Sequence, residues 1–255
     1  MLFDSVIYGP IHSRRLGTSL GINLSPTNQK LCSFNCVYCE CGWNTPLKNA
    51  HIPTIEDFMQ LLEKKLIELK NNGIKPDVIT FSGNGEPTMH PEFESIIAHT
   101  CRLRDKYAQS AKVSVLSNST QLHKESVRRA LLMADNRILK LDSAINQTMQ
   151  LIDQPTNKQL TVKQIINWLE AFNGDFTLQT CFLKGSIDGQ IIDNTTDIEL
   201  QAWYEAVRLL RPENIMIYVI DRQTPCPTLE KITPKKMHQI AQVLIDEGFS
   251  VSVSA

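Results

Sequence analysis

The sequence has no long apolar run, which excludes a membrane-spanning protein, and almost no net charge, which weakens a nucleic-acid substrate without excluding it. No run is long enough to cross a bilayer, and the N-terminal residues lack the basic and apolar regions of a signal peptide, so we expect a cytoplasmic protein. The 26 lysines and arginines are balanced by 27 aspartates and glutamates, so the net charge of -1 gives no overall attraction to nucleic acid. Repeats, low-complexity tracts and linkers are also lacking, so we predict a single domain over residues 1–255.

What the sequence has instead is a group of closely spaced cysteines. Cys32, Cys36 and Cys39 follow the pattern C-x3-C-x2-C, with Tyr38 directly before the third cysteine. Three thiolates can hold three corners of an iron-sulfur cluster and leave one iron open, and an open position distinguishes catalytic metal centres from structural ones. Cys41 follows at C-x-C spacing, so the cysteines alone also allow a closed four-thiolate site for zinc or for an electron-transfer cluster.

A glycine-rich segment is the second informative feature. The apolar run at residues 77–81 predicts a buried strand, and Ser-Gly-Asn-Gly-Glu-Pro-Thr follows it at residues 82–88. Glycine lets a chain turn sharply and lets a ligand approach the backbone closely. Taken alone, the segment is more typical of an ordinary glycine-rich turn.

Together and in this order, the two motifs resemble those of the radical S-adenosylmethionine (SAM) superfamily. The resemblance implies that Cys32, Cys36 and Cys39 hold a 4Fe-4S cluster in a loop over residues 32–41, with SAM on the fourth iron. It implies reductive cleavage of SAM to a 5'-deoxyadenosyl radical, which abstracts a hydrogen atom from a substrate, and an external one-electron reductant of flavodoxin or ferredoxin type. The residues implied to position SAM, with Asn84 as a departure from the commonest form, are Gly83, Asn84, Gly85, Glu86 and Pro87.

Two further segments narrow the resemblance. Residues 9–23, GPIHSRRLGTSLGIN, and residues 218–225 are similar to segments of the stand-alone iron-sulfur oxidoreductases grouped with wyosine-type transfer-RNA synthetases. This similarity implies an RNA base as the first candidate substrate. Wyosine synthases carry a second cluster whose cysteines precede the first, whereas no cysteine here precedes Cys32.

Three hypotheses for function stay open at this point: modification of an RNA base, modification or activation of a protein or peptide, and a non-catalytic metal-binding role. Modification or activation of a protein or peptide is a second enzymatic hypothesis. A non-catalytic electron carrier or zinc-binding module using Cys41 as its fourth ligand is a hypothesis of another class. An RNA substrate requires a local basic patch, for which the candidates are residues 12–15, Arg102, Arg104, Lys106, Arg128 and Arg129.

Short apolar runs alternate with amphipathic patterns, which predicts an α/β fold with a parallel sheet. Six strand-helix units with right-handed crossovers would form a partial (β/α)6 barrel of parallel strands with outer helices. The clearest helical pattern begins with a capping-box pattern formed by Thr54 and Asp57 and ends near residue 73. Its predicted apolar face contains Phe58, Leu61, Leu62, Leu66 and Leu69. Strands are predicted near residues 19–24, 77–81, 113–116, 137–141, 176–182 and 215–220, with a last edge strand near 249–253.

The remaining site candidates lie where ligands bind in such folds, at the carboxyl ends of the strands. By resemblance, Ser117 and Asn118 are predicted to contact SAM, with capping of the next helix as the alternative. Lys140 and Asp142 share one face of the fourth strand, and buried charges there must pair or bind a ligand. We predict Asp142 as a ribose or substrate contact. Tyr38 matches the position near the adenine of SAM, although packing of the loop is an alternative.

Overall fold

The computed structural model describes residues 2–13, 17–46 and 50–255, which form two compact units. Unit 1 comprises Met1–Cys32, Asn44–Ser117 and Gln121–Arg137, and unit 2 comprises Ser33–Trp43, Asn118–Thr120 and Ile138–Ala255. Both units contain strands and helices, as the sequence predicted. This division does not test the prediction of a single domain, which stays a prediction.

Unit 1 is built on parallel strands with one antiparallel strand at the edge. Its described strands are β1 (Ile7–Ser13), β2 (Gly17–Asn23), β3 (Val78–Ser82) and β4 (Lys112–Ser117). Its described helices are α1 (Ile55–Asn71), α2 (Phe93–Tyr107) and α3 (Glu125–Met133). Strand β1 pairs antiparallel with β2, whereas β2, β3 and β4 pair in parallel.

Strand β5 (Asn136–Lys140) begins in unit 1 and ends in unit 2, and the rest of unit 2 follows it along the chain. The strands of unit 2 are β6 (Thr177–Ile187), β7 (Gln190–Asp193), β8 (Asn214–Val219), β9 (Glu230–Lys231) and β10 (Val251–Ser254). Its helices are α4 (Asn146–Ile152), α5 (Val162–Glu170), α6 (Asp197–Leu210) and α7 (Pro234–Asp246). Strands β5, β6, β8 and β10 pair in parallel in that order, and β7 and β9 pair antiparallel with β6.

The structure confirms all seven predicted strands as β2, β3, β4, β5, β6, β8 and β10. Strands β1, β7 and β9 and helix α4 were not predicted. The three additional strands pair antiparallel, whereas the predicted strands β2, β3 and β4 and the predicted strands β5, β6, β8 and β10 pair in parallel, as expected. Strand β1 contains Gly9-Pro10, which is typical of a turn, and α4 has only seven residues, too few for a clear helical period.

Helix α1 shows how the local sequence sets an element. The hydroxyl oxygen of Thr54 accepts a hydrogen bond from the Asp57 N–H at 3.2 Å, as the capping pattern predicted. The buried face contains Phe58, Leu62, Leu66 and Leu69. Leu61 was also predicted on that face, but it is 44% exposed. It follows Phe58 by three residues, yet its five-residue separation from Leu66 places it on a different side of the helix from the buried stripe.

Aromatic side chains pack against one another within the mainly aliphatic core of each unit. In unit 1 the Phe81 ring lies 6.3 Å from those of Phe58 and Phe93, measured between centroids. In unit 2 Phe182 and Trp203 pack edge to face at 5.1 Å, and the Trp203 indole N–H donates to Thr180 Oγ1 at 3.0 Å. Within the described ranges, no helix combines the length and apolarity needed to span a membrane.

Candidate active site

A backbone bridge in unit 1 joins the start of the cysteine loop to the glycine-rich segment. The Leu31 N–H donates to the Asn84 carbonyl oxygen at 2.9 Å, and the Glu86 N–H donates to the Leu31 carbonyl oxygen at 3.0 Å. A Cβ atom on Gly85 would lie 1.7 Å from that Leu31 oxygen, so the bridge requires glycine. Cys32 is the next residue along the chain, and the bridge therefore places it beside the glycine-rich segment.

Asn84, between the two glycines, holds the segment against the rest of unit 1. Its buried amide accepts the Phe3 N–H at 2.7 Å and donates to the carbonyl oxygens of Phe3 and Pro26 at 2.7 and 2.9 Å. Gly83 has a φ of +112°, and a Cβ atom there would lie 2.6 Å from Asn23 Oδ1. The amide of Asn84 is thus used for structure, and its contact with SAM stays a prediction.

We predict that Asn84→Ala destabilises the protein by about 3 kcal/mol, because the Phe3 and Pro26 backbone groups lose their buried partner. Asn71→Ala is the control, since Asn71 is exposed at the end of α1 and should change stability by less than about 0.5 kcal/mol. Urea unfolding of both variants measures the difference. Equal unfolding free energies for the two variants would contradict this account of Asn84.

Glu86 and Ser117 come together at the ends of β3 and β4. Glu86 Oε1 accepts the Ser117 hydroxyl at 2.9 Å and the Thr88 N–H at 3.1 Å, and Glu86 is only 4% exposed. Pro87 follows it as the first residue of a short 3-10 turn, Pro87–Met89. Two of the predicted SAM contacts are therefore joined in unit 1, with the carboxylate of Glu86 oriented by the hydroxyl of Ser117.

Asn23 is a residue near this segment that the sequence analysis missed. Its Oδ1 accepts the N–H groups of Asn84 and Ser25 at 3.0 and 3.2 Å. Its Nδ2 is buried and has no partner among the described residues. Buried donors are normally satisfied, so this amide nitrogen is a candidate hydrogen-bond donor to a bound group. Only the register of β2 beside β3 reveals it, because a lone asparagine at a strand end carries no motif.

The part of the cysteine loop in unit 2 is fixed by backbone hydrogen bonds to the end of α4. The N–H groups of Asn35 and Val37 donate to the carbonyl oxygens of Asp153 and Ile152, both at 2.9 Å. The two donor residues, Asn35 and Val37, directly precede and follow Cys36 in the sequence. Its backbone position is therefore set by α4, a helix that the sequence analysis did not predict.

Asn118 also contacts this loop. Its Nδ2 donates to Ser33 Oγ at 2.9 Å, and its Oδ1 accepts the Thr120 N–H at 3.1 Å. The N-cap of α3 is Lys124, whose own side chain makes no capping hydrogen bond, and the alternative that residues 117–119 cap this helix stays a prediction. Asn118 thus supports the loop that carries Cys36 and Cys39, and its contact with SAM stays a prediction.

The chemistry of the thiols fits an iron-sulfur cluster. All seven cysteines are thiols, of which Cys36 is 8% exposed and Cys32, Cys39 and Cys41 are half-buried. Among the described residues, no three His, Cys, Asp or Glu side chains are gathered as a single metal ion would require. A cluster takes one thiolate at each iron, so its ligands need not converge on one ion.

Lys140, at the end of β5, forms a buried charged group with Asp142 and Asp153. Its Nζ lies 3.1 Å from Asp142 Oδ2, donates to Asp153 Oδ1, and donates to Cys36 Sγ at 3.0 Å. Burial lowers the pKa of Lys140, but the two carboxylates outweigh this effect and raise that pKa well above its usual value. Burial raises the pKa of Asp153 to about 7 against the opposing effect of Lys140. Of the two alternatives for these charges, the structure shows that Lys140 and Asp142 pair with each other, whereas Asp153 was missed.

Tyr38 and Asp142 belong to the same network. The Tyr38 hydroxyl donates to Asp142 Oδ2, and the Cys181 N–H donates to Asp142 Oδ1 at 2.9 Å. Burial, together with the charge of Asp142, raises the pKa of Tyr38 well above its usual value, so the phenol stays a neutral donor. Asp142 is 2% exposed and accepts from three groups. The predicted contacts of Tyr38 with adenine and of Asp142 with ribose or substrate stay predictions.

Most of the basic residues proposed for an RNA surface are engaged within unit 1. Arg104 pairs with Asp135 at 2.6 Å, and Arg129 pairs with Glu94 at 2.7 Å. Lys106 lies 3.1 Å from a carboxylate of α1, and Arg128 donates to backbone carbonyls. Arg14 and Arg15 lie outside the described residues.

Comparisons with known proteins agree with the two motifs. The model of the family described as "Radical SAM superfamily" matches residues 29–192. The chain is 30% identical over 239 residues to a GTPase Obg of Brachyspira hyodysenteriae, covering 91% of this chain but only 32% of that protein. It is 32% identical over 227 residues to a UPF0026 protein of Synechocystis, covering 86% of this chain and 77% of that protein.

Solved structures show the same fold at low identity. A radical SAM methyltransferase from Sphaerobacter thermophilus and TYW1 with a lysine-pyruvate adduct both superimpose with a TM-score of 0.64 at 12% identity and cover 92% of this chain. The match covers 66% of the methyltransferase chain and 76% of the TYW1 chain. Streptococcus suis SuiB bound to its precursor peptide SuiA has a TM-score of 0.63 at 14% identity, over 89% of this chain and 47% of that one. The chain therefore belongs to the radical SAM superfamily and has its mixed α/β fold, the partial barrel built on parallel strands.

Proposed function

We propose that this protein reductively cleaves SAM at a 4Fe-4S cluster held by Cys32, Cys36 and Cys39, and that the resulting 5'-deoxyadenosyl radical abstracts a hydrogen atom from a substrate. The observation that carries the proposal is the backbone bridge between Leu31 and Gly85, which joins the two motifs in a chain of this superfamily. The cluster, when bound, supplies the one-electron chemistry, while the protein supplies binding and orientation.

The residues of the glycine-rich segment have separate tasks in this proposal. Gly83 and Gly85 allow the segment to pack against Asn23 and Leu31, and in this proposal their backbone lines the SAM site. Glu86 would receive the amino group of SAM, and the hydroxyl of Ser117 holds its carboxylate in orientation. Asn84 keeps the segment in place through its buried amide. The unpartnered Nδ2 of Asn23 is a further donor at the end of β2.

The electron for cleavage comes, we propose, from an external reductant of flavodoxin or ferredoxin type. Outside residues 32–41 the cysteines are Cys101, Cys181 and Cys226, which stand far apart in the sequence and match no cluster motif. Cys226 is buried and lies 3.1 Å from the hydroxyl of Thr228, so it contributes to packing of its loop. The chain thus offers no second cluster pattern through which an electron would pass.

An RNA base is the substrate class we propose first. This proposal rests on the similarity of residues 9–23 to wyosine-type proteins. The arginines of unit 1 that pair with carboxylates do not support it further, because their charges are already compensated. A cavity of about 540 Å³ in unit 1 and one of about 490 Å³ in unit 2 are large enough for a small ligand. The unit 2 cavity is lined by Asn35 and the half-exposed ring of Trp43, and RNA-binding proteins commonly stack unpaired bases on aromatic rings.

A protein or peptide is the second candidate substrate, because SuiB, solved with a precursor peptide, shares the fold. The fold does not separate the two candidates, because one fold can support different substrates. An electron carrier or zinc module with Cys41 as fourth ligand is the candidate of another class.

Anaerobic reconstitution with iron and sulfide, followed by reduction and electron paramagnetic resonance with and without SAM, tests the proposal. We expect a reduced-cluster signal that changes on addition of SAM, and slow release of 5'-deoxyadenosine. A fully ligated cluster that does not respond to SAM would favour the electron carrier. Stoichiometric zinc that iron does not replace would favour the zinc module.

A further inference from the structure

The Lys140 ammonium group has a third partner besides its two carboxylates, and that partner is a cysteine of the candidate cluster loop. An ammonium group has three N–H donors, and Cys36, Asp142 and Asp153 all have an acceptor atom within 3.1 Å of the Lys140 nitrogen. The two carboxylates alone would neutralise a buried lysine, so burial does not require the contact with sulfur. The N–H···S bond at 3.0 Å is therefore a separate feature of the site.

The surroundings of this hydrogen bond shield it from water. The Lys140 side chain is 10% exposed, and the rings of Phe34 and Tyr38 lie 5.0 and 4.9 Å from its Nζ. Cys36 is itself 8% exposed. Hydrogen bonds to charged groups are stronger in such surroundings, because the low dielectric does not screen them.

Cys36 is thus held at both its backbone and its side chain. The N–H groups on either side of it bond to the end of α4, and one residue of that helix end, Asp153, also accepts from Lys140. The side chain of Lys140 links the sulfur atom to the same support. A sulfur held in this way has a fixed orientation toward a metal before the metal binds.

We propose that Lys140 is a positioning residue for the cluster, which donates a hydrogen bond to the Cys36 thiolate and thereby raises the reduction potential of the cluster. This inference rests on the proposed function, because Cys36 has this role only as a cluster ligand. Reduction adds negative charge to a cluster and its sulfur ligands, and hydrogen bonds to the sulfurs stabilise that charge. The carboxylate of Asp142, and that of Asp153 in its ionised form, act in the opposite direction.

The test separates the hydrogen bond from the charge. Lys140→Met and Lys140→Gln are each combined with Asp153→Asn, so one cation and one anion are removed together. Methionine and glutamine are of similar length, and only glutamine offers an N–H donor. Potentiometric titration of the reconstituted proteins, followed by electron paramagnetic resonance, should place the Met variant lowest, the Gln variant between, and the wild type highest. We expect a roughly tenfold change in the reduction equilibrium between wild type and Met variant, which is about 59 mV for one electron.

Coinciding potentials in the Met and Gln variants, with clusters fully loaded, would overturn the proposal. A Met variant that loads no cluster, although its apo form melts as the wild type does, would support the positioning role. If the Met variant unfolds, the Gln variant is compared with wild type at the same formal charge, and an unshifted potential overturns the proposal. A wild-type cluster whose signal does not change on addition of SAM contradicts the proposed function. A wild-type cluster that does respond to SAM, together with equal reduction potentials in the Met and Gln variants, contradicts only the role of Lys140.

Discussion

A Gly85→Ala variant should be less stable than the wild type and should fail to hold an iron-sulfur cluster. The added Cβ atom would lie 1.7 Å from the Leu31 carbonyl oxygen and 2.7 Å from Ser25 Oγ. The chain can relieve this overlap only by moving backbone, which breaks the two hydrogen bonds that join Leu31 to the glycine-rich segment. Overpacking and two lost backbone hydrogen bonds together cost about 3 kcal/mol or more. Cys32 would move with Leu31.

The melting temperature and the iron content after reconstitution measure this effect. For a chain of this size, about 3 kcal/mol corresponds to a fall of roughly 6–12 °C. Gly73→Ala is the matched control, because its φ of +69° is unfavourable for alanine but no atom lies within 4 Å of the added Cβ. That control should lose only about 1–2 kcal/mol and should load a cluster normally. Normal loading by Gly85→Ala would show that the bridge does not position Cys32.

Local sequence identified the parts of the site that depend on a residue's immediate neighbours. The thiols at 32, 36 and 39 and the glycines at 83 and 85 are recognisable because their spacing is itself the chemical signal. The strands that precede the cysteine loop and the glycine-rich segment were also predictable, because short apolar runs are local sequence patterns. The clash between Gly85 and Leu31, which explains the need for that glycine, became visible only in the fold.

Residues that act through tertiary contacts were harder to predict. The sequence showed that Lys140 and Asp142 share a face and must either pair or bind a ligand, because alternation along a strand is a local property. Asp153 escaped notice because it reaches Lys140 only through α4, a helix too short to have a readable period. Asn84 looked like a departure from a motif, and only its bonds to distant backbone explain its presence. Asn23 was missed because strand register, which one sequence does not display, sets its neighbours.

Serine substitutions in the cysteine loop should separate the open cluster from a closed four-thiolate site. Cys32→Ser, Cys36→Ser and Cys39→Ser should each lose the cluster signal and lower 5'-deoxyadenosine formation by more than about tenfold. A hydroxyl is a poor substitute for a thiolate ligand, and even changes to residues that support a ligand cost 10–100-fold. Cys41→Ser should keep its iron, its sulfide and its response to SAM.

The same four variants decide between the classes of function, because each class predicts a different pattern. An electron carrier or zinc module requires Cys41 as the fourth ligand, so loss of metal in Cys41→Ser, together with indifference of the wild-type cluster to SAM, would support that class. Cys101→Ser serves as the control for thiol loss alone, since Cys101 lies on α2 outside the loop, and its thiol lies 3.5 Å from the Met133 carbonyl oxygen. Loss of cluster in three loop variants, with retention in Cys41→Ser and Cys101→Ser, leaves one coordination position for SAM. That open position is what radical cleavage of SAM requires, and a protein that only stores or carries an electron does not need it.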